Sequence, residues 1–258
     1  MDLFPLPRLG IVVPPENPTA EPEFHRFLGG RVNVYTARFP LTPGLGLRRM
    51  LETYNDVLPD TLGAFGALRL DAAVVACSAS HYLLGADGDR EFCARLSARS
   101  GFPVASSTQA VLAVAARLGL RRVTLVSPYE PWLTDTSRAF WERAGLTVDA
   151  VVRVALPDGG HDPYRVTAQG LLDRLDTALP DDDRPLLFTG TGMGTLAVLA
   201  ELERRRPGRI ALTSNQASAR WALDVAGAPS VTTPDVAGAR PVTVPDARVP
   251  SGSRHPAP

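Results

Sequence analysis

The sequence is short of most things that would classify it by composition alone. Of its 258 residues only two are cysteine, Cys77 and Cys93, too few for a disulfide framework, which excludes a small stapled secreted domain. Neither sign of charge is in excess. The 27 Lys plus Arg equal the 27 Asp plus Glu, which removes the electrostatic case for a nucleic-acid or anionic-membrane partner. No apolar run approaches spanning length, and no basic amino-terminal region precedes one, so neither a membrane helix nor a signal peptide is expected. The expected location is cytoplasmic. His25, His81, His161 and His255 are scattered, with no i, i+4 pair and no Cys-x-x-Cys, so no metal site is assigned.

What the sequence does contain is alternation. Short buried-strand patterns recur at Leu9 to Val13, Val32 to Phe39, Ala72 to Ala76, Val104 to Ala105, Val123 to Val126, Thr147 to Ala155, Pro185 to Thr189 and Ile210 to Leu212. Helical periodicity lies between many of them: Leu45 to Leu68, with Pro59 expected to kink or divide it, then Arg90 to Ser100, Ser106 to Leu118, Pro131 to Ala144, Tyr164 to Leu179, a helix through Arg206, and a last one ending near Gly227. Strands alternating with helices predict a parallel α/β sheet. Beyond Ala228 the chain is rich in proline, glycine and small polar residues, and 228–258 reads as a disordered tail.

Three motifs occur twice in the same order. VVPP near Val12 matches VSPY near Val126, VVACSAS matches LLFTGTG, and VASSTQA matches ALTSNQA. Pro14 lies 63 positions before Cys77 and Pro128 lies 62 before Gly190, so Cys77 and Gly190 occupy equivalent places in two similar halves. The expected division is residues 1–112, completed by the helix 214–227, and 113–213. Both residues would stand at carboxyl ends of parallel strands, where open α/β sheets place their ligand crevice. Cys77 is therefore the candidate reactive group, although free cysteines are often inert packing, the reading given to Cys93.

On the VPP turn with Asn17, the Cys77-Ser78 turn followed by Gly85, Ser127-Pro128-Tyr129, Gly190-Thr191-Gly192, and Ser214-Asn215-Gln216-Ala217 before Trp221, the chain resembles the aspartate/glutamate racemase superfamily. Within it the resemblance is to the maleate cis-trans isomerase and arylmalonate decarboxylase branch, over about Leu9 to Gly227. It implies two pseudo-symmetric Rossmann-like halves with the site in the cleft between them, no cofactor and no metal. It also implies cysteines at the positions of both Cys77 and Gly190 in typical members. The second is missing here, which disfavours two-base racemisation. The decarboxylase branch keeps its cysteine on the Gly190 side; the maleate isomerases use the one matching Cys77 to attack the alkene.

The reading placed first is a cysteine-dependent cis-trans isomerase of a small maleate-like dicarboxylate, in which the Cys77 thiolate adds to the double bond. The alternatives are a decarboxylase of a malonate-type acid, with Cys77 as proton donor, and a non-catalytic binding member. Donors for the carboxylates would be Asn17, Ser78, Tyr129, the Gly190, Thr191 and Gly192 turn, Ser214 and Asn215. Capping a helix is the local role expected of Asn17. His81, four residues past Cys77, and His161, in a glycine-rich loop, are further candidates on position. A dinucleotide site is disfavoured because the glycines run G-x-G-x-G and no acidic residue ends the next strand. A homo-oligomer is left open.

Overall fold

The β-branched and small apolar runs form strands whose two faces are both covered, as their lack of alternation requires. In the computed structural model, which describes residues 5–179 and 182–227, one sheet contains β1 (Arg8–Val13), β2 (Asn33–Arg38), β3 (Ala72–Val75) and β4 (Val104–Ser106). The other contains β5 (Arg122–Ser127), β6 (Thr147–Arg153), β7 (Leu186–Phe188) and β8 (Ala211–Thr213). Their orders are β2-β1-β3-β4 and β6-β5-β7-β8, and every pairing is parallel. The stretch expected to be a tail, 228–258, lies outside the described residues.

The sheet register fixes the internal repeat residue by residue. Val12 pairs with Val75, and Val126, its counterpart, pairs with Phe188. Two positions further along, Cys77 and Gly190 are therefore equivalent, as the spacing predicts. Matching the strings VVACSAS and LLFTGTG end to end would have set Cys77 against Thr189 instead. Hydrogen bonds repeat the assignment: Ala76 N–H donates to Val12 O and Thr189 N–H to Val126 O, while Ser107 Oγ donates to Val75 O and Ser214 Oγ to Phe188 O.

The helices are α1 (Ala20–Leu28), α2 (Leu47–Gly63), α3 (Ser78–Tyr82), α4 (Gly85–Ser100), α5 (Ser107–Arg117), α6 (Pro131–Arg143), α7 (Ala168–Ala178), α8 (Leu196–Arg205) and α9 (Ser214–Val225). Five differ from expectation, among them α1, for which no helical range is predicted. Pro59 does not divide α2, because Leu58, Thr61 and Leu62 are buried on both sides of it and hold the helix in place. Helix α4 begins at Gly85, five residues earlier than its apolar pattern shows. Helix α7 begins only at Ala168, because Asp162 caps a separate 3₁₀ turn, Pro163–Arg165. Helix α3 falls where the sequence predicts a turn, since five residues are too few to display a period.

One apolar layer, built from Leu9, Ile11, Val13, Phe24, Leu28 and Val74, is closed by Ala219, Ala222 and Leu223 of α9, so the last helix returns to the first sheet. Another packs α7 and α8 beneath β5 to β7. The largest cluster spans both sheets, joining Val75, Tyr54 and Tyr82 to Leu125, Tyr129, Phe140 and Trp141. The strand ends of the two halves therefore meet across a packed boundary.

Candidate active site

Cys77 follows β3 and is the N-cap residue of α3, with only 4% of its surface exposed. Burial pushes its thiol above the usual thiol range, and the Ser80 side chain with the Ser80 and Ala79 amides partly offsets that rise. The thiol therefore keeps its proton near neutral pH. The opposing turn lies directly against it. Thr191 Oγ1 donates 2.7 Å to Ala76 O, and Tyr82 and Thr189 share a short hydroxyl hydrogen bond between the halves.

Where the second half carries Gly190, a tyrosine takes up the room. Gly190 has φ +92°, and a Cβ placed there would lie 2.4 Å from the Tyr129 hydroxyl and 3.0 Å from Cζ. Gly192 is used in the same way: its Cβ would lie 2.4 Å from Cε1 of Tyr164, which arrives on the 157–165 loop. The glycines of the G-x-G-x-G turn thus seat two aromatic rings. Tyr129 is held in turn by an edge contact from Tyr82, at 6.4 Å and 76°, and Tyr82 packs edge-on against Phe140 and Trp141. Such contacts contribute about 0.5–1.5 kcal/mol each.

Burial raises the pKa values of Tyr54, Tyr129 and Tyr164, and all three lie close enough to Cys77 for a thiolate there to raise them further. Tyr54 is pushed up to about 12. All three phenols are therefore neutral hydrogen-bond donors at physiological pH. Four of the five tyrosines in the chain converge here, counting Tyr82. Of these only Tyr129 is a candidate from sequence, since Tyr54 looks like an ordinary helical core residue and nothing marks Tyr82 in the turn after Cys77.

The predicted donors separate into two groups. Ser78 and Ser214 face one another at 3.4 Å, and Ser214 Oγ reaches Phe188 O at the same distance; bonds this long leave both hydroxyls able to turn to a better acceptor. The Tyr129 hydroxyl joins them, with no hydrogen-bond partner among the described residues. Asn17, Thr191 and Asn215, in contrast, are paired within the protein. Asn17 Oδ1 accepts from the Thr19 and Ala20 amides at 2.9 and 3.0 Å, the capping role expected of it, and its Nδ2 donates to Thr191 O and Oγ1. Asn215 Nδ2 donates to Thr191 O and to Glu23 Oε2. Glu23, which the sequence reading passed over, is only 3% exposed; it accepts from Thr195 N–H and Oγ1 and from Leu196 N–H, capping α8 from α1. These groups tie the halves together.

His81 is neither solvated nor a cap, the two roles that usually compete for a turn histidine. It is fully buried, and its Nδ1 donates 2.7 Å to Asp89 Oδ1. Asp89 also accepts from Ser106, Thr108 and Gln109, at 3.0, 2.6 and 2.8 Å, and from the Cys93 thiol at 3.5 Å. His81, Asp89 and Cys93 offer ligand-type atoms within 4.8 Å of one another. His81 Nδ1, the Asp89 oxygens and the Cys93 sulfur are engaged in these hydrogen bonds, which a cation entering would have to displace, while His81 Nε2 is buried without a partner among the described residues. No composition signal marks Asp89, which sits in the charged stretch before the apolar face of α4. His161 is half-buried in the 157–165 loop, and its Nδ1 has no partner among the described residues.

The two cysteines should differ in reactivity. Burial and the neighbouring Asp89 charge push Cys93 up to about 12, whereas Cys77 is relieved by the α3 amides. Iodoacetamide labelling mapped by mass spectrometry should find Cys77 first, at a rate that climbs with pH above 9, and Cys93 only on unfolding. Equal labelling of both in the folded protein would contradict this assignment.

Comparison with known proteins follows the same architecture. The family model for arylmalonate decarboxylase matches residues 9–235, while no curated protein matches the chain. Among solved structures, one similar to this chain is a liganded arylmalonate decarboxylase mutant with one glycine changed to cysteine and one cysteine to serine. It aligns with a TM-score of 0.72 and 22% identity over 88% of this chain and 96% of that one. A mutant maleate cis-trans isomerase from Nocardia farcinica, holding a covalently bound succinylcysteine intermediate, aligns at 0.73 and 20% identity, over 87% and 94%. A mutant maleate isomerase from Pseudomonas putida with maleate aligns at 0.72 and 18%, over 87% and 93%. At such identities the likeness to these structures is one of fold.

Proposed function

The chain belongs to the arylmalonate decarboxylase family, and from that premise we propose that it decarboxylates a malonate-type acid bearing an apolar substituent, without cofactor, with Cys77 as proton donor. The observation that carries this reading is the neutral, tyrosine-lined burial of Cys77. A thiol that keeps its proton suits an acid; addition to an alkene needs the thiolate. The donors agree with that choice. Ser78, Ser214 and Tyr129 can hold one carboxylate, whereas Asn17, Thr191 and Asn215, expected in the same donor set, are paired with each other and with Glu23.

In the proposed reaction one carboxylate is fixed by these three hydroxyls and the other faces aromatic side chains, where its charge is poorly solvated. The bond to the second carboxylate breaks, carbon dioxide leaves, and the electron pair delocalises into the retained carboxylate as an enediolate. Donors aimed at those oxygens stabilise the charge as it develops. The enediolate carbon then takes the Cys77 proton, and solvent returns a proton to the thiolate as product leaves.

Maleate-type isomerisation, the reading that ranks first on sequence, is supported by the presence of a thiol at Cys77 and by the likeness to an isomerase trapped as succinylcysteine. Proton NMR in deuterated buffer separates the two. Aryl- and alkylmalonates should yield a monoacid carrying one α-deuterium, and maleates should stay unchanged. A trans alkene from maleate, with malonates untouched, would replace this reading by the isomerase. Among the described residues no helix is long and apolar enough to cross a membrane.

A further inference from the structure

We infer that Tyr129, seated against Gly190, is the plug of the second wall: it closes the substrate face turned away from Cys77, so that the proton comes from Cys77 alone and the product is a single enantiomer. The inference deepens the decarboxylase reading and rests on it. The sheet register puts residue 190 directly equivalent to Cys77, so a side chain there would present a second acid to the opposite face. Glycine presents none, and an empty seat would fill with water, which protonates without regard to face. The seat is not empty. The Tyr129 hydroxyl occupies the space within 2.4 Å of where a Cβ would stand, and φ +92° at Gly190 disfavours any L side chain.

The plug is also rigid. Ser127 and Thr134 share a 2.8 Å hydroxyl bond, and Thr134 Oγ1 donates 3.0 Å to Tyr129 O. Together these pin the turn that carries the ring, while Tyr82 supports its edge. Proton transfer from Tyr129 itself would leave a phenolate in a desolvated pocket, which burial first and the neighbouring Tyr82 second both oppose. The hydroxyl therefore donates a hydrogen bond to the retained carboxylate and keeps its proton. The ring excludes water.

The test is the enantiomer ratio of the monoacid formed from an α-methyl-α-arylmalonate, read by chiral chromatography for the wild type, Tyr129→Phe and Tyr129→Ala. Tyr129→Phe keeps the ring and should keep the wild-type ratio, at a rate lower by about a hundredfold for one lost donor. Tyr129→Ala should move the ratio at least about tenfold toward the racemate, because water reaches the open face. Loss of the ratio in Tyr129→Phe, or its retention in Tyr129→Ala, overturns the plug. Should the wild type convert no malonate, the decarboxylase reading fails, and the seat is then judged by thermal denaturation. Gly190→Ala should lower Tm by several degrees in the wild type and by measurably less in the Tyr129→Ala background, where only the strain of φ +92° remains. Equal losses in both backgrounds refute the seat.

Discussion

Cys77→Ala should lower turnover by about 10²- to 10⁴-fold, the usual contribution of a positioned general acid, while circular dichroism and Tm stay close to those of the wild type. Among the groups surrounding the reaction, the phenols are held above their ordinary range by burial, and the serine hydroxyls are far weaker acids than a thiol. Only Cys77 combines a transferable proton with this location. Cys93→Ala is the control, since that thiol packs against Asp89 behind α3, and it should retain most of the activity. The pH profile adds a sign. A proton donor must be protonated, so kcat/KM should hold level through neutrality and fall as pH rises through the thiol pKa, which burial has moved above 9. A nucleophilic thiolate would give the opposite slope, rising over the same interval. Full activity in Cys77→Ala would sink the mechanism while leaving the fold untouched.

Those features of the site that depend on chain order were legible beforehand. The paired strand-turn motifs located Cys77 and Gly190 as equivalents, and the register of β1 with β3 and of β5 with β7 reproduces that equivalence. What was hidden depends on where side chains turn once the halves meet. Asn17 and Asn215 read as donor candidates because they lie in strand-end turns that the family resemblance picks out, although capping is the local role expected of Asn17. Neither the burial of Glu23 nor its approach from α1 to the amino terminus of α8 leaves a trace in local sequence, yet that carboxylate engages Asn215 directly and reaches Thr191 through it. The tyrosines were missed for a related reason. Tyr54 sits at helical core spacing, Tyr82 in the turn after Cys77 and Tyr164 at the start of a predicted helix; only the three-dimensional seats at Gly190 and Gly192 show why the Tyr129 and Tyr164 rings need glycine there.

The largest effect on stability should come from Asp89, a residue that touches no reacting atom. Burial alone would raise its carboxyl, but hydrogen bonds from His81, Thr108 and Gln109, together with the His81 charge, hold it below the usual carboxylate range. Asp89→Ala would strand His81, Ser106, Thr108 and Gln109 in a fully buried space. Leaving buried donors without an acceptor costs about 1–3 kcal/mol for each group, together a large share of the 5–15 kcal/mol or so that keeps a typical domain folded. Asp89→Asn should cost less, because the amide oxygen can still accept and the Ser106 and Thr108 hydroxyls can rotate to accept from its NH₂. The folded-state carboxyl lies below its unfolded value of about 3.9, so its contribution is complete above that value and lost as pH falls through the folded pKa. Urea titrations should therefore show wild-type stability dropping below about pH 4 with a component that is absent in Asp89→Asn. Activity should follow structure, since His81 lies on α3, the helix whose first turn holds Cys77 and Ser78. Asp89→Asn should lower kcat more than it raises KM, the mark of a displaced acid in a site that still binds. If Asp89→Ala melts within a degree or two of the wild type, the five donors are not held by that carboxylate, and α3 must owe its position to packing alone.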